Sequence, residues 1–253
     1  MSGSSEVAGE TRKIDLRGHS LRVRILGDGP RTIVCLHDYS EGIDAWNEAA
    51  PLLAKLGRVV LIELRAHGYS SAPEGDYRWE DLAGDVIGVL DALCVDRTVL
   101  VGHRFGGIVA IVTALQASAR VERLVLIGTA TDLDAARHNS WLEVIKSGRM
   151  NGLEGIAHAL HGPISRQNVE GNPVGLTAIA RLAETLQKAP LTPRLAEVRC
   201  PVLVLAGQKD PLPTAPLAAA LPDARVETLA NLGPSPQAED SGATVAAIGR
   251  FLA

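Results

Sequence analysis

The 253-residue chain is poor in aromatic side chains, carries little net charge and has no long apolar run. Aromatic residues make up 3% of it, so the sequence offers no set of stacking platforms for single-stranded nucleic acid. A formal net charge of −4 argues against general affinity for nucleic acid or anionic membranes. No apolar run approaches the roughly 20 residues that span a bilayer. We therefore expect neither a nucleic-acid partner nor a membrane partner.

Cysteine is also scarce. Cys35, Cys94 and Cys200 lack the spacing of a disulfide framework or a metal site, which favours reduced, buried thiols and a cytoplasmic protein. Residues 1–12 are small and polar, without the apolar core of a signal peptide, and predict a disordered lead-in. Abundant alanine and an excess of arginine over lysine indicate a GC-rich bacterial genome.

The sequence does contain a regular alternation of short apolar runs and helical patterns. The apolar runs are rich in β-branched residues, as in strands buried on both faces, and lie at 32–36, 58–62, 98–101, 124–127 and 201–206. The helical patterns lie at 46–56, 79–93 and 105–119. Earlier strands are predicted at 13–16 and 21–26, and a last strand and helix at 225–229 and 244–252. This order predicts an α/β fold, with a mostly parallel sheet flanked by helices.

One interval breaks the alternation. Residues 131–199 are far longer than an ordinary crossover and show a helical pattern interrupted by glycine and proline. We interpret them as an inserted helical lid over the carboxyl edge of the sheet, where ligands of open α/β sheets bind. The core then comprises residues 13–130 and 200–253.

The segment Gly102-His103-Arg104-Phe105-Gly106 has the spacing of a nucleophile elbow. Glycines two residues either side of the apex let a strand turn sharply into a helix. The apex residue is then raised above the sheet, next to the backbone N–H groups of the helix N-terminus. Here the apex residue is Arg104, which cannot act as a nucleophile.

With this turn, four other segments resemble the α/β-hydrolase family, in its esterase, lactonase and C–C hydrolase branch. They match the oxyanion loop, the turn after the next strand, the loop of the triad acid and the loop of the triad histidine. In this sequence they are Leu36–Tyr39, Glu63–Ser70, Ala206–Pro211 and Asn231–Pro236.

The resemblance implies a serine at the apex, a histidine in the last loop and an acid at position 210. Arg104 and Pro234 stand where the serine and histidine would be, and only Asp210 matches its role. Asp38 replaces a glycine of the oxyanion loop, which puts a carboxylate where negative charge would develop. We therefore expect a degenerate triad and no Ser-His-Asp hydrolysis.

Three functions remain open. In a catalytically dead pseudohydrolase, Arg104 fills the old site through a salt bridge to Asp210 or Asp38. In a binding protein or a lyase, isomerase or cyclase, Arg104 anchors a carboxylate or phosphate while Asp38 or Asp210 moves a proton. In a hydrolase, the third possibility, a non-standard arrangement of catalytic residues hydrolyses small esters, lactones or diketones. The expected partner is a small molecule, with a carboxylate as the favoured anchor group.

The remaining candidates would shape the pocket. Candidate substrate contacts are Tyr39, Phe105, His37, His103, Trp141 and His158. His37 and His103 have an alternative role as supports beneath the turns. His158 and His161 share a helix face, but no nearby acidic pair completes a metal site, so we expect no metal and no organic cofactor. Arg149 and Arg166 are interpreted as surface charges.

Overall fold

The computed structural model describes residues 9–162 and 169–253. The strands of these residues are β1 (Glu10–Leu16), β2 (His19–Leu26), β3 (Thr32–Leu36), β4 (Arg58–Ile62), β5 (Thr98–His103), β6 (Val121–Ile127), β7 (Val202–Gly207) and β8 (Ala224–Leu229). They form one sheet with the strand order β1-β2-β4-β3-β5-β6-β7-β8. β2 pairs antiparallel with β1 and β4, and the other pairs are parallel. The predicted fold class is confirmed.

The helices of the same residues are α1 (Ala50–Leu53), α2 (Trp79–Ala92), α3 (Phe105–Gln116), α4 (Ala135–His161), α5 (Pro173–Glu184), α6 (Ala215–Ala220), α7 (Pro236–Glu239) and α8 (Ser241–Leu252). Of these, α2 and α3 pack on one face of the sheet and α1 and α8 on the other. Val34 of β3 belongs to one core with residues of α2 and α3, and its neighbour Ile33 belongs to the other, with residues of α1 and α8. Burial on both faces explains why the central strands are continuously apolar.

Two predicted elements differ from the structure. The helix predicted at 46–56 is a 3₁₀ turn at Ile43–Trp46 followed by the single turn of α1. Pro51 explains the break, because it has no N–H for a continuing helix and favours a first turn instead. β1 begins at Glu10, inside the predicted lead-in, and residues 1–8 lie outside the described residues.

Cys35 and Cys200 are buried, but Cys94, just after α2, is exposed, which corrects the expectation of three buried thiols.

Between β6 and β7, α4 and α5 pack against each other, and both line a cavity with Asp38, Arg104 and Gly128, which follow the carboxyl ends of β3, β5 and β6. α4 is kinked at Gly152, whose φ of 59° and ψ of −138° are not helical. The segment returns close to where it left the sheet, since the Leu191 N–H donates to the Thr131 carbonyl at 2.9 Å. Within the described ranges, no helix is both long and apolar enough to cross a membrane. The domain boundaries at 131 and 199 stay a prediction.

Candidate functional site

Arg104 occupies the crest of the turn from β5 to α3. Its φ of 46° and ψ of −108° place it in a strained region for a residue with a side chain, at a cost of about 1 to 3 kcal/mol. The turn is tight enough to require glycine at position 102, because a Cβ there would lie 2.5 Å from the Gly107 Cα. The sequence therefore builds the elbow as predicted and raises a guanidinium above the sheet.

Asp210 holds this guanidinium from behind. Arg104 Nη2 donates to Asp210 Oδ1 at 3.2 Å, and the Leu212 N–H donates to the same oxygen at 3.0 Å. The Asp210 side chain is fully buried, whereas that of Arg104 is 25% exposed. Asp210 Oδ2 is buried with no hydrogen-bond partner among the described residues. Of the two acids expected to pair with Arg104, Asp210 is the one that does so.

Asp38 instead occupies the backbone donors beside the crest. Its Oδ1 accepts hydrogen bonds from the Tyr39 N–H at 2.7 Å and from the Phe105 N–H at 3.1 Å. Phe105 is the first residue of α3, so this carboxylate takes the place of an anion at the helix N-terminus. Burial raises the pKa of Asp38 despite these two donors and the nearby His103.

A partly buried ion pair lies next to Asp38, with the His103 side chain buried and that of Glu41 26% exposed. His103 Nδ1 is 3.1 Å from Glu41 Oε2, which also accepts the Asp38 N–H at 3.1 Å. His103 Nε2 donates to the Pro234 carbonyl at 3.0 Å. Burial opposes charge on both groups, but their mutual contact prevails: it raises the pKa of His103 and lowers that of Glu41 to about 2.

A cavity of about 310 Å³ lies between the crest and helices α4 and α5. Most of its wall is apolar, and it is lined by Asp38, Arg104, Phe105, Ile108, Gly128, Ala130, Leu133, Arg137, Ser140, Trp141, Val144, Ala159, Leu160, Ala183, Leu186 and Leu212. Among the described residues, the charged side chains on this wall are two arginines, Arg104 and Arg137, and one aspartate, Asp38.

Four of the predicted site residues line the cavity, namely Asp38, Arg104, Phe105 and Trp141. Asp210 lies behind Arg104 rather than on the wall. Trp141 packs edge-on against Tyr39, with ring centroids 4.9 Å apart.

The other four predicted contacts, Tyr39, His37, His103 and His158, are not among the residues that line this cavity. Tyr39 is buried and its hydroxyl donates to the Leu176 carbonyl. His37 is buried between the Asp38 carbonyl and the Leu64 N–H, and burial lowers its pKa to about 3. His103 is held in the ion pair, and His158 lies in a separate depression on α4. The contacts of His37 and His103 are thus with the loops around the crest rather than with the cavity.

Arg137 and Ser140 are cavity residues that sequence reasoning missed. Arg137, Ser140, Trp141 and Val144 follow one another at spacings of three or one along the start of α4, so they share one helix face. That periodicity, anchored on Trp141, was the available signal. Arg149 is exposed on the same helix, and Arg166 lies outside the described residues. No cluster of three potential metal ligands occurs in the described ranges.

Comparison with known proteins identifies the family. A family model described as alpha/beta hydrolase fold matches residues 31–163. The chain belongs to the α/β-hydrolase fold family. A solved enol-lactonase from Burkholderia xenovorans LB400 superposes with a TM-score of 0.85 at 25% identity, covering 95% of this chain and 99% of that one.

Two curated relatives are similar in sequence. 3-Oxoadipate enol-lactonase 2 of Acinetobacter baylyi is 28% identical over 172 residues, which is 62% of each chain. 2-(Acetamidomethylene)succinate hydrolase of Mesorhizobium japonicum is 27% identical over 228 residues, 81% of this chain and 80% of that one. The match thus spans less than two thirds of the enol-lactonase. The predicted resemblance to this family is confirmed.

Proposed function

We propose that this α/β-hydrolase-fold protein binds a small carboxylate-bearing molecule in the cavity above Arg104, and that it does not use a serine nucleophile. One observation carries the proposal: the Arg104 guanidinium stands at the crest, is fixed from behind by a buried aspartate and is partly open on the cavity side.

Arg104 keeps donors for a ligand. A guanidinium has five N–H donors in a planar fork, and Asp210 accepts from one nitrogen of Arg104 among the described residues. The remaining donors suit bidentate capture of a carboxylate. The α3 N-terminus offers no competing anion site at Phe105, because Asp38 already accepts that N–H.

The same geometry opposes acyl transfer. An oxyanion hole needs free N–H donors where negative charge develops, and Asp38 Oδ1 accepts from both Tyr39 and Phe105. The position resembling the triad histidine holds Pro234, whose carbonyl accepts from His103 instead. Neither a nucleophile at the crest nor a base beside it is present at these positions.

The relatives support the ligand class. Their names specify an oxoadipate lactone and a substituted succinate, which are molecules that bear carboxylates. A related cavity that has lost its nucleophile can keep affinity for the same functional group.

A second candidate is acid–base turnover of a small lactone, ester or dicarbonyl compound. The relatives favour it, because they are named as a lactonase and a hydrolase. Asp38 would be the acid or base, since it lines the cavity, its Oδ2 has no hydrogen-bond partner among the described residues and burial raises its pKa.

Titration calorimetry with butyrate and with neutral butyramide tests the binding proposal. We expect butyrate to bind and butyramide to bind more weakly, and Arg104→Gln combined with Asp210→Asn to abolish the difference. Arg149→Gln, which changes an exposed arginine of α4, is the matched control and should bind as the wild type does. Equal binding of the two ligands, or full butyrate affinity in the double variant, would overturn the proposal. Turnover of γ-butyrolactone that Asp38→Asn abolishes would support the second candidate.

A further inference from the structure

We infer that the cavity accepts a dicarboxylate, with one carboxylate on Arg104 and the other on Arg137. The inference rests on the proposed function for the first anchor and adds the second. Both guanidiniums lie on the wall of one cavity, Arg104 on the crest of the sheet and Arg137 on the first turn of α4.

Arg137 is held in place by acids outside the cavity. Its Nε donates to Asp134 Oδ2 at 3.1 Å, and its Nη2 lies 3.6 Å from Asp132 Oδ1. Asp134 also caps α4 by accepting the Arg137 N–H at 2.8 Å, which fixes the helix turn that presents the side chain. These contacts leave Nη1 without a partner among the described residues, and the side chain is 29% exposed.

The acids that pair with the two arginines lie outside the cavity, whereas a ligand would lie inside it. The Asp132 and Asp134 side chains are 53% and 61% exposed, so water and salt screen their attraction for Arg137. Asp210 is buried behind Arg104. The fourth acid, Asp38, is the one on the wall, and its Oδ1 accepts the Tyr39 and Phe105 N–H groups, which offset part of its negative charge.

The wall between the charged groups suits a short methylene chain. Ile108, Val144 and Leu186 are among the apolar side chains that line the cavity. Its volume of about 310 Å³ lies at the small end of the range for small-molecule sites. A linear dicarboxylate of a few carbons therefore matches the wall in both charge and size.

The test compares dicarboxylates with monocarboxylates of equal chain length. Succinate, glutarate and adipate are titrated by calorimetry against butyrate, pentanoate and hexanoate. In the wild type, the best dicarboxylate should bind about tenfold tighter than its monocarboxylate, because each charge-assisted pair outweighs an apolar terminal methyl. In Arg137→Gln the order should reverse, since the second carboxylate then enters an apolar wall unpaired.

Two further variants guard against a folding artefact. Arg137→Lys keeps the charge but loses the fork, and should keep an intermediate preference. Arg149→Gln, on the exposed face of α4, should keep the full preference. Butyrate binding that depends on Arg104, without any preference for dicarboxylates, would overturn this inference and leave the proposed function standing. Absence of binding by every carboxylate would overturn both, and an unchanged preference in Arg137→Gln would overturn the role of Arg137 alone.

Discussion

Removing the Arg104 side chain should leave the buried carboxylate of Asp210 without its ion-pair partner. Asp210 is fully buried, its Oδ1 accepts from Arg104 and Leu212, and its Oδ2 has no partner among the described residues. Breaking a buried ion pair by deleting one partner costs about 3 to 5 kcal/mol. Arg104 is 25% exposed, so water from the cavity can hydrate part of the unpaired Asp210 carboxylate. We therefore expect Arg104→Ala to lower the free energy of unfolding by about 3 kcal/mol.

Urea unfolding at pH 7, followed by tryptophan fluorescence and by circular dichroism, measures this cost. If the free energy of unfolding falls by about 3 kcal/mol per molar urea, the urea concentration at the midpoint of unfolding should fall by about 1 M. Adding Asp210→Asn should restore the free energy of unfolding to within about 1 kcal/mol of the wild type, because the variant no longer has an unpaired carboxylate at position 210. Arg149→Ala, at an exposed position of α4, should change it by less than about 0.5 kcal/mol. A single variant as stable as the wild type, or a double variant no more stable than the single, would refute the reasoning.

The other predictions concern the turn and the charges beneath it. A serine-directed fluorophosphonate should leave the wild type unlabelled; a label on any residue of the cavity wall would contradict the absence of a nucleophile. Arg104→Ser with Pro234→His should hydrolyse p-nitrophenyl butyrate only weakly, and adding Asp38→Gly should raise the rate about 100-fold by freeing the Tyr39 and Phe105 N–H groups. No gain from Asp38→Gly would contradict the assignment of those donors. Glu41→Gln should lower the free energy of unfolding by roughly 1.5 to 3 kcal/mol, most strongly between pH 4.5 and 6.5. The contribution of Glu41 is present above its ordinary pKa of 4.5 and fades as the pH falls toward 2, whereas that of His103 is present below 6.5 and fades as the pH rises through its raised pKa. Thermal unfolding across this range checks the prediction, and a difference that does not vary with pH would contradict it.

The core strands could be predicted from sequence because burial on both faces leaves a strong signal. The runs at 32–36 and 58–62 coincide with β3 and β4. Short helices are harder to predict, because a proline such as Pro51 divides an apolar stretch that otherwise has helical periodicity. The elbow was predictable from its glycines, since the backbone geometry itself requires them.

The charged site was only partly predictable. The sequence indicated two partners for Arg104, namely Asp210 and Asp38. In the structure Arg104 pairs with Asp210, because the carboxylate of Asp38 accepts the backbone N–H groups of Tyr39 and Phe105 instead. Arg137 looks like a surface residue in the sequence, because Asp134 pairs with it at a spacing of three. Its place on the cavity wall follows from how α4 lies over the sheet, which is a tertiary property.

A crystal structure of the protein with bound 4-bromobutyrate tests the central claim most directly, since the bromine gives an independent anomalous signal. The expected result is a carboxylate oxygen within about 3.2 Å of an Arg104 guanidinium nitrogen, with the bromine among the apolar side chains of the cavity. A carboxylate bound away from Arg104, or an empty cavity at saturating ligand, would contradict it.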